Sequence, residues 1–227
     1  MLATLVTAAA AGCAARQSGG AAGADSPETP AAELDSAQIE RLTRVTAPDA
    51  PRQIMFDWSL QDRDVRVQGK GVLRVQGPYH ARLDLFGPQD VEFVRAVLVR
   101  DSLEYLAAAR NVPLPPVAFL WSLLGVFRAP AAELTGMTQG AAGLTLRYMG
   151  DGGSWQFRAD SASLRSVEWQ GGDGGRRTVE LAGPFTESRP ARAVFRDWRE
   201  FRELTLTVTA TENVPPFDPG VWNVSIQ

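Results

Sequence analysis

The segment Asn111–Arg128, NVPLPPVAFLWSLLGVFR, decides how the rest of the chain is organised. From Val117 to Phe127 it is apolar except for Ser122 and Gly125. A membrane-spanning helix needs about 20 apolar residues, so this shorter run must be buried in protein or cover an apolar surface. Its length and the two prolines before it predict a helix, because proline is tolerated in a first helical turn. A strand is the alternative, although few of the side chains are β-branched.

The N-terminus has the pattern of an export signal. Leu2–Ala11 is a run of small and apolar residues, followed by Gly12 and by Cys13, the one cysteine of the chain. A short apolar run before a small-residue break is typical of a secretory signal and not of a membrane span. The tail Ala10–Cys13 resembles a bacterial lipobox, with Ala10 where Leu is usual, which implies that Cys13 is lipidated. A plain secretory signal with an incidental cysteine is the alternative.

Composition and these boundaries predict three segments. Residues 1–13 are a lipoprotein signal peptide that ends at Cys13, residues 14–33 are a flexible tether rich in Ala, Gly and Ser, and residues 34–227 are a single domain. Stable anchoring at Cys13 requires two or more acyl chains, because one chain holds a protein only marginally. A net charge of −3 excludes the basic footprint of a nucleic-acid-binding protein.

After a predicted helix at Asp35–Val45, apolar and polar residues alternate, which is the pattern of antiparallel strands with one buried face. Gly69 and Gly71 inside one strand predict a bulge or a sharp bend. Residues 129–143 are predicted to be a linker, and Gly171–Gly175 a hairpin turn. The spacing is typical of a barrel or a sandwich. Ten or eleven strands are predicted, at 54–60, 65–75, 79–85, 91–99, 102–106, 144–148, 155–157, 164–169, 178–181, 191–195 and 204–211.

This order of elements resembles the lipoprotein-localisation (Lol) superfamily of periplasmic lipoprotein carriers and outer-membrane lipoprotein receptors. Leu83–Pro88 is similar to the strand and Gly-Pro turn of the receptor branch, Val112–Pro115 with Leu120–Gly125 to its plug helix, and Arg192–Val208 followed by Asn213 to its closing strands. The resemblance implies a mainly β (α+β) fold. The expected architecture is a curved antiparallel half-barrel of about 10–11 strands with an N-terminal helix and a central plug helix.

The resemblance also implies an apolar cavity that binds the acyl chains of lipoproteins. Receptor members carry an apolar residue in the loop after the Gly-Pro turn, where this chain has the polar Gln89 and Asp90 as its candidate membrane or cargo loop. A packed core without a cavity is the alternative, since a core and a greasy pocket use the same residue types. The candidate cavity residues are Phe56, Trp58, Tyr79, Leu83, Leu85, Phe93, Phe119, Leu120, Leu123, Leu124, Phe127, Leu146, Trp155 and Phe157.

The sequence therefore predicts a bacterial envelope lipoprotein that binds acyl chains or lipidated cargo. Its predicted location is the periplasmic face of the outer membrane, to which the lipid anchor holds it. No catalytic set, metal set or cofactor motif is recognised; His80 is the one histidine and falls on a polar strand face. Expected partners are lipid acyl chains, the membrane and an envelope protein, without nucleic acid. The alternative is a non-catalytic scaffold with a filled core, acting through surface loops such as Arg196–Glu203. That loop mixes aromatic and charged residues, which suits contact with a protein partner or with lipid headgroups. The alternative is a solvated turn with internal salt bridges.

Overall fold

The structure is a computed structural model that describes residues 29–30, 36–106, 112–186 and 188–224. Cys13 lies outside the described residues, and so do the predicted signal peptide and all of the predicted tether except Thr29 and Pro30. Within the described ranges, no helix combines the length and the apolar character that crossing a bilayer would require.

The described residues form two α-helices and thirteen strands. The helices are α1, Ser36–Thr46, and α2, Val117–Leu123. The strands are β1 Thr29–Pro30, β2 Arg52–Asp62, β3 Val65–Gln76, β4 His80–Phe86, β5 Glu92–Val99, β6 Ser102–Tyr105, β7 Glu133–Gly140, β8 Gly143–Gly150, β9 Gly153–Ala159, β10 Leu164–Gly171, β11 Arg176–Thr186, β12 Arg189–Asp197 and β13 Arg202–Asn213.

All strands belong to one antiparallel sheet with the order β1-β7-β8-β9-β10-β11-β12-β13-β2-β3-β4-β5-β6. The two strand blocks that flank α2 in the sequence meet where β13 pairs with β2, from Arg202 opposite Asp62 to Asn213 opposite Arg52. Because this junction is in the middle of the sheet, the segment that contains α2 connects one edge strand, β6, to β7 near the other edge. The predicted fold class, a mainly β half-barrel with two helices, is confirmed.

The predicted linker at residues 129–143 is wrong in part, because Glu133–Gly140 forms β7. The register of β7 against β8 shifts between Leu134 and Gly136, which interrupts the two-residue alternation on which strand prediction depends. β7 lies near the edge of the sheet and pairs on its outer side with the two residues of β1. A strand at this position is therefore expected to show only weak alternation of apolar and polar residues.

Gly69 and Gly71 do not mark a bulge. Both lie in a continuous register between β2 and β3, opposite Trp58 and Phe56. A Cβ on Gly71 would lie 2.3 Å from the ring of Phe56, and one on Gly69 would lie 1.9 Å from the carbonyl oxygen of Phe86. These glycines are needed for close approach, and the bulge interpretation is wrong.

The two helices occupy the predicted places, with one change of length. α1 covers Ser36–Thr46, within one residue of the prediction. α2 stops at Leu123, because Gly125 adopts a left-handed backbone with φ of +73° and ends the helix. The apolar residues Val126 and Phe127 remain fully buried beyond the helix end.

The two ends of the sheet differ. α1 crosses one end, which we call the capped end: its first half borders the β7–β8 and β9–β10 turns, and Thr46 reaches the start of β12. The opposite end, the tip end, is formed by the β2–β3, β4–β5, β8–β9, β10–β11 and β12–β13 turns. The core lies between the two ends, beneath α2.

Candidate functional site

The candidate site is the apolar interior between α2 and the concave face of the sheet. α2 packs against β10, β11 and β12 and buries Phe119–Leu123 completely. The Phe119 ring lies 5.0 Å from the Trp155 ring and 5.3 Å from the Phe195 ring, measured between centroids. Such aromatic contacts add to the free energy gained by burying apolar area.

The structure brings all fourteen predicted cavity residues into one cluster beneath α2. Ten of them are buried: Phe56, Trp58, Leu83, Leu85, Phe119, Leu120, Leu123, Phe127, Leu146 and Phe157. The other four, Tyr79, Phe93, Leu124 and Trp155, are partly buried and pack against the same cluster. Their role as ligand contacts stays a prediction, since their burial suits a core and a pocket equally.

Two small cavities remain in this interior. The larger has a volume of about 30 Å³ and lies between the end of α2, the strands β2 and β3, and the start of β12. The second, of about 10 Å³, lies beside it. Both are lined by Leu73, Leu123, Leu124 and Leu206. The larger has room for about two water molecules and neither holds an acyl chain, so the interior is closed and nearly filled.

Arg189 connects the two helices at this point. Its Nη1 donates hydrogen bonds of 3.0 Å to the carbonyl oxygens of Thr46 and Leu124, at the C-terminal ends of α1 and α2. Carbonyl groups at a helix C-terminus lack intrahelical partners and carry partial negative charge, so a guanidinium satisfies them well. The Thr46 hydroxyl also accepts a bond of 3.0 Å from the backbone N–H of Phe127.

Arg189 and Thr46 were not predicted. Neither belongs to a motif, and the hydrogen bonds join positions 143 residues apart in the sequence. Arg189 also lines the larger cavity, together with Pro190 and Ala193. Arg189 therefore both holds the end of α2 and borders the larger of the two cavities.

A pair of charged residues lies on the same face of the sheet nearer the tip end. Arg177 Nε donates a hydrogen bond of 2.7 Å to Asp197 Oδ2, and the guanidinium of Arg177 lies 4.9 Å from the Trp169 ring. Burial of Asp197 disfavours its charged form, but the bonds from Arg177 and from the backbone N–H groups of Glu200 and Arg199 outweigh it and lower the pKa of Asp197. The carboxylate thereby organises the β12–β13 turn.

Two larger spaces are open surface grooves. One, of about 590 Å³, lies between α1 and the β7–β8 turn and includes the charged Arg41 and Asp160. The other, of about 560 Å³, lies at the tip end beside Arg66 and Pro88. Neither has the continuous apolar lining that an acyl chain requires.

The candidate loop residues Gln89 and Asp90 are exposed in a single 3-10 turn, Pro88–Asp90, at the tip end. Both have left-handed backbones, with φ of 62° and 57°. The next residue, Val91, is apolar and 63% exposed. Their role in membrane or cargo contact stays a prediction.

The described ranges contain no group of three or more His, Cys, Asp or Glu residues placed to hold a metal ion. His80 lies at the start of β4, where its ring packs against Trp222 with 5.3 Å between centroids. This ring contact is a packing contact.

The fold was compared with those of known proteins. No protein-family model and no curated protein matches the sequence. Among solved structures, a LolA superfamily protein from Nitrosomonas europaea has a TM-score of 0.56 at 10% identity, covering 86% of this chain and 98% of that one. A putative outer-membrane lipoprotein-sorting protein domain from Vibrio parahaemolyticus has a TM-score of 0.54 at 8% identity, covering 82% and 95%.

A DUF1329 family protein from Desulfovibrio piger has the same architecture, with a TM-score of 0.51 at 8% identity over 83% of this chain and 96% of that one. The chain therefore has a LolA-like fold over nearly the full length of these structures. The resemblance predicted from the sequence is confirmed at the level of fold.

Proposed function

We propose that this protein is a non-catalytic bacterial envelope lipoprotein that binds an acyl chain, free or on lipidated cargo, in the interior beneath α2. The observation that carries the proposal is the pair of apolar cavities at Leu123 and Leu124, under a short helix held at its end by Arg189. Each methylene buried there contributes about 0.8 kcal/mol and needs no polar partner.

Binding requires α2 to withdraw from the sheet, since the closed interior has no room for a chain. The contacts that must break include the Arg189 bond to the Leu124 carbonyl oxygen, the bond of 2.7 Å that Trp121 Nε1 donates to the Arg100 carbonyl oxygen, and the packing of the Phe119 ring. An acyl chain would replace α2 side chains against the same apolar wall. Binding and helix displacement are then one equilibrium.

The proposal includes an acyl anchor at Cys13 and a position at the periplasmic face of the outer membrane. It is supported by the lipobox-like Ala10–Cys13 and by the likeness of the fold to the putative outer-membrane lipoprotein-sorting protein domain. Mass spectrometry of protein extracted from membranes should show an acylated N-terminal Cys13. A Cys13→Ser chain should appear in the soluble periplasmic fraction. Recovery of unmodified Cys13 from membranes would contradict the anchor.

Native mass spectrometry and displacement of a fluorescent fatty acid test the lipid site, using the full chain with Cys13→Ser. Ala193→Leu places a larger side chain in the 30 Å³ cavity and should abolish fatty-acid binding while the protein stays folded. The control Ala182→Leu makes the same change at an exposed position of the neighbouring strand β11 and should bind normally. Equal binding by both variants would show that the acyl chain lies elsewhere.

The nearly filled interior favours a second candidate, a scaffold lipoprotein with a closed core that acts through surface loops. This candidate predicts no co-purifying lipid and no fatty-acid binding by the wild-type chain. It further predicts that crosslinking in intact envelopes joins the Arg196–Glu203 segment to another protein. The native mass spectrum of the wild-type chain therefore separates the two candidates.

A further inference from the structure

The exposed apolar side chains are concentrated at one end of the molecule. Of seven large hydrophobic residues that the structure shows exposed among the described residues, five lie in or beside turns of the tip end. We call these five the apolar rim: Val65, Val91, Met149, Trp198 and Phe201, with 63%, 63%, 53%, 49% and 74% of their surfaces exposed. The other two, Val45 and Tyr105, are each 37% exposed.

Hydrogen bonds join the central turns of the rim into one edge. The Arg63 backbone N–H donates to the Phe201 carbonyl oxygen at 3.1 Å, and the Trp198 N–H donates to the Arg176 carbonyl oxygen at 3.0 Å. An ion pair between Arg199 and Asp173 links the β12–β13 turn to the β10–β11 turn. Val65, Trp198 and Phe201 therefore lie in turns of one connected edge, and Val91 and Met149 lie in tip turns on either side of it.

Ion pairs account for most of the basic side chains of this edge, and Asp64, Asp90 and Asp151 add acidic charge to its turns. Five arginines in or next to the tip turns each have a carboxylate within 4 Å: Arg63 with Glu200, Arg176 with Glu168, Arg177 with Asp197, Arg199 with Asp173 and Arg202 with Asp62. Such an edge offers no basic patch to anionic lipid headgroups. Trp198, whose ring faces the Arg176 guanidinium at 5.4 Å, combines an apolar body with a polar tip, as residues at a membrane–water interface do.

We propose that the apolar rim docks on the surface of a lipid bilayer, with Trp198 and Phe201 entering the headgroup–acyl boundary. Separate hairpin tips with single apolar side chains between paired charges suit insertion among headgroups. A flat protein partner would be expected to meet a continuous apolar patch with an aromatic centre. Docking would direct the capped end and α1 away from the membrane.

The N-terminal segment can reach this orientation. Sixteen peptide links join Cys13 to Thr29 in β1, so the chain between them spans at most about 55 Å. β1 pairs with the middle of β7, at Gly136 and Met137, between the two ends of the sheet. This step rests on the proposed anchor at Cys13, which would hold the domain near the bilayer and raise the effective concentration of the rim there. The rim itself does not depend on lipid binding beneath α2.

The test uses the full chain with Cys13→Ser, which removes its one cysteine and permits a single environment-sensitive fluorophore. Gly172→Cys places the label in the exposed β10–β11 turn at the tip end, where an added Cβ meets nothing within 4 Å. Ala141→Cys places it in the exposed β7–β8 turn at the capped end. With phosphatidylcholine vesicles, we expect a blue shift and protection from an aqueous quencher at position 172 and neither at position 141.

In the position-172 background, Trp198→Ser with Phe201→Ser should weaken vesicle binding about tenfold or more, since two aromatic side chains supply most of the inserted area. The control pair Val45→Ser with Tyr105→Ser removes exposed apolar groups outside the rim and should bind as before. Phosphatidylglycerol should not strengthen the binding of the parent chain and added salt should not weaken it, because the rim offers no basic patch to anionic headgroups.

Four results would overturn the proposal: equal responses at positions 141 and 172, no response at 172, binding that salt abolishes, or a shift at 172 that grows with protein concentration without vesicles. The last would make the rim an interface between copies of this chain. Ala193→Leu should dock normally and lose fatty-acid binding, and the rim double variant should do the reverse. The two readouts therefore distinguish failure of the rim from failure of the proposed lipid site.

Discussion

At the capped end Thr46, Trp121 and Phe127 are wholly buried, whereas at the tip end Phe201 and Val65 expose 74% and 63% of their surfaces. Both ends are made of the same kind of antiparallel turn, so the difference comes from what covers them. α1 and α2 cover the first end, and Arg189 joins the helices there. The comparison indicates that the capped end supplies stability and that the tip end is available for contacts with other molecules.

The largest expected effect comes from matched phenylalanines. Phe127→Ala should lower the free energy of unfolding by about 3–5 kcal/mol, because it empties a fully packed position against Phe157. Phe201→Ala should change it by less than about 0.5 kcal/mol, because the ring contributes little buried area. Urea unfolding followed by circular dichroism measures both. Similar losses in the two variants would remove the distinction between the ends.

Two glycines with similar backbones sharpen the comparison. Gly125 has φ of +73° and Gly174 has φ of +80°, so alanine at either position costs about 1–2 kcal/mol of backbone strain. At Gly125 the new Cβ would also lie 2.9 Å from Pro190 Cδ, whereas at Gly174 it meets nothing within 4 Å. We expect Gly125→Ala to lose about 2–4 kcal/mol, with overpacking added to the strain. An equal loss at Gly174 in thermal or urea unfolding would contradict this account.

Removing the Arg189 side chain should loosen the capped end. Arg189→Ala leaves the Thr46 and Leu124 carbonyl oxygens without this donor and should cost about 1–3 kcal/mol. Hydrogen exchange of α2 amides should quicken, and fatty acid should bind faster, because the helix withdraws more often. Arg192→Ala, at an exposed position of the same strand, is the control. Unchanged α2 exchange in Arg189→Ala would show that other contacts hold the helix.

The smallest expected effect is at Asp197, near the tip end. Its pKa is lowered in the folded state, so its stabilisation is present at pH values above the unfolded pKa of about 3.9 and is lost as pH falls through the lower folded pKa. Asp197→Asn should lower stability by about 1–2 kcal/mol at neutral pH, a modest value because Arg177 is 32% exposed.

The same substitution should flatten the acid side of the stability profile, measured by urea unfolding between neutral and strongly acidic pH. Asp173→Asn is the control, since that carboxylate lies at the neighbouring turn and its side chain is 58% exposed. Its effect should be smaller in both respects. A wild-type acid slope in Asp197→Asn would show that another carboxylate is responsible.

The sequence predicted most of the strands because each alternates in a two-residue period between buried and wet positions, as Ile54–Leu60 does. It missed β7, where a register shift at Leu134 and Gly136 breaks that period. It predicted too long a central helix, because an apolar run continues past Gly125 while the backbone does not remain helical. The local pattern of apolar and polar residues therefore predicts which side chains are buried more reliably than it predicts the backbone conformation.

The candidate cavity residues converge in the structure, since apolar side chains on one face of a sheet must share one interior. The sequence could not tell whether that interior is open, because volume depends on how the side chains interlock. Arg189 was not identified, since its partners are carbonyl oxygens of distant segments. Every residue has a backbone carbonyl oxygen, so residue types do not show which of these oxygens will accept a bond from an arginine.

By itself, the sequence determined that an apolar central helix divides two blocks of antiparallel strands and that the residues now beneath α2 avoid water. The tertiary structure alone decided that β13 joins β2, that the interior is closed around cavities of about 30 and 10 Å³, and that the exposed apolar side chains gather at the tip end. Periodicity is a local property of the chain and can be read along it. Strand order, cavity volume and the alignment of separate turns arise only when distant segments pack together.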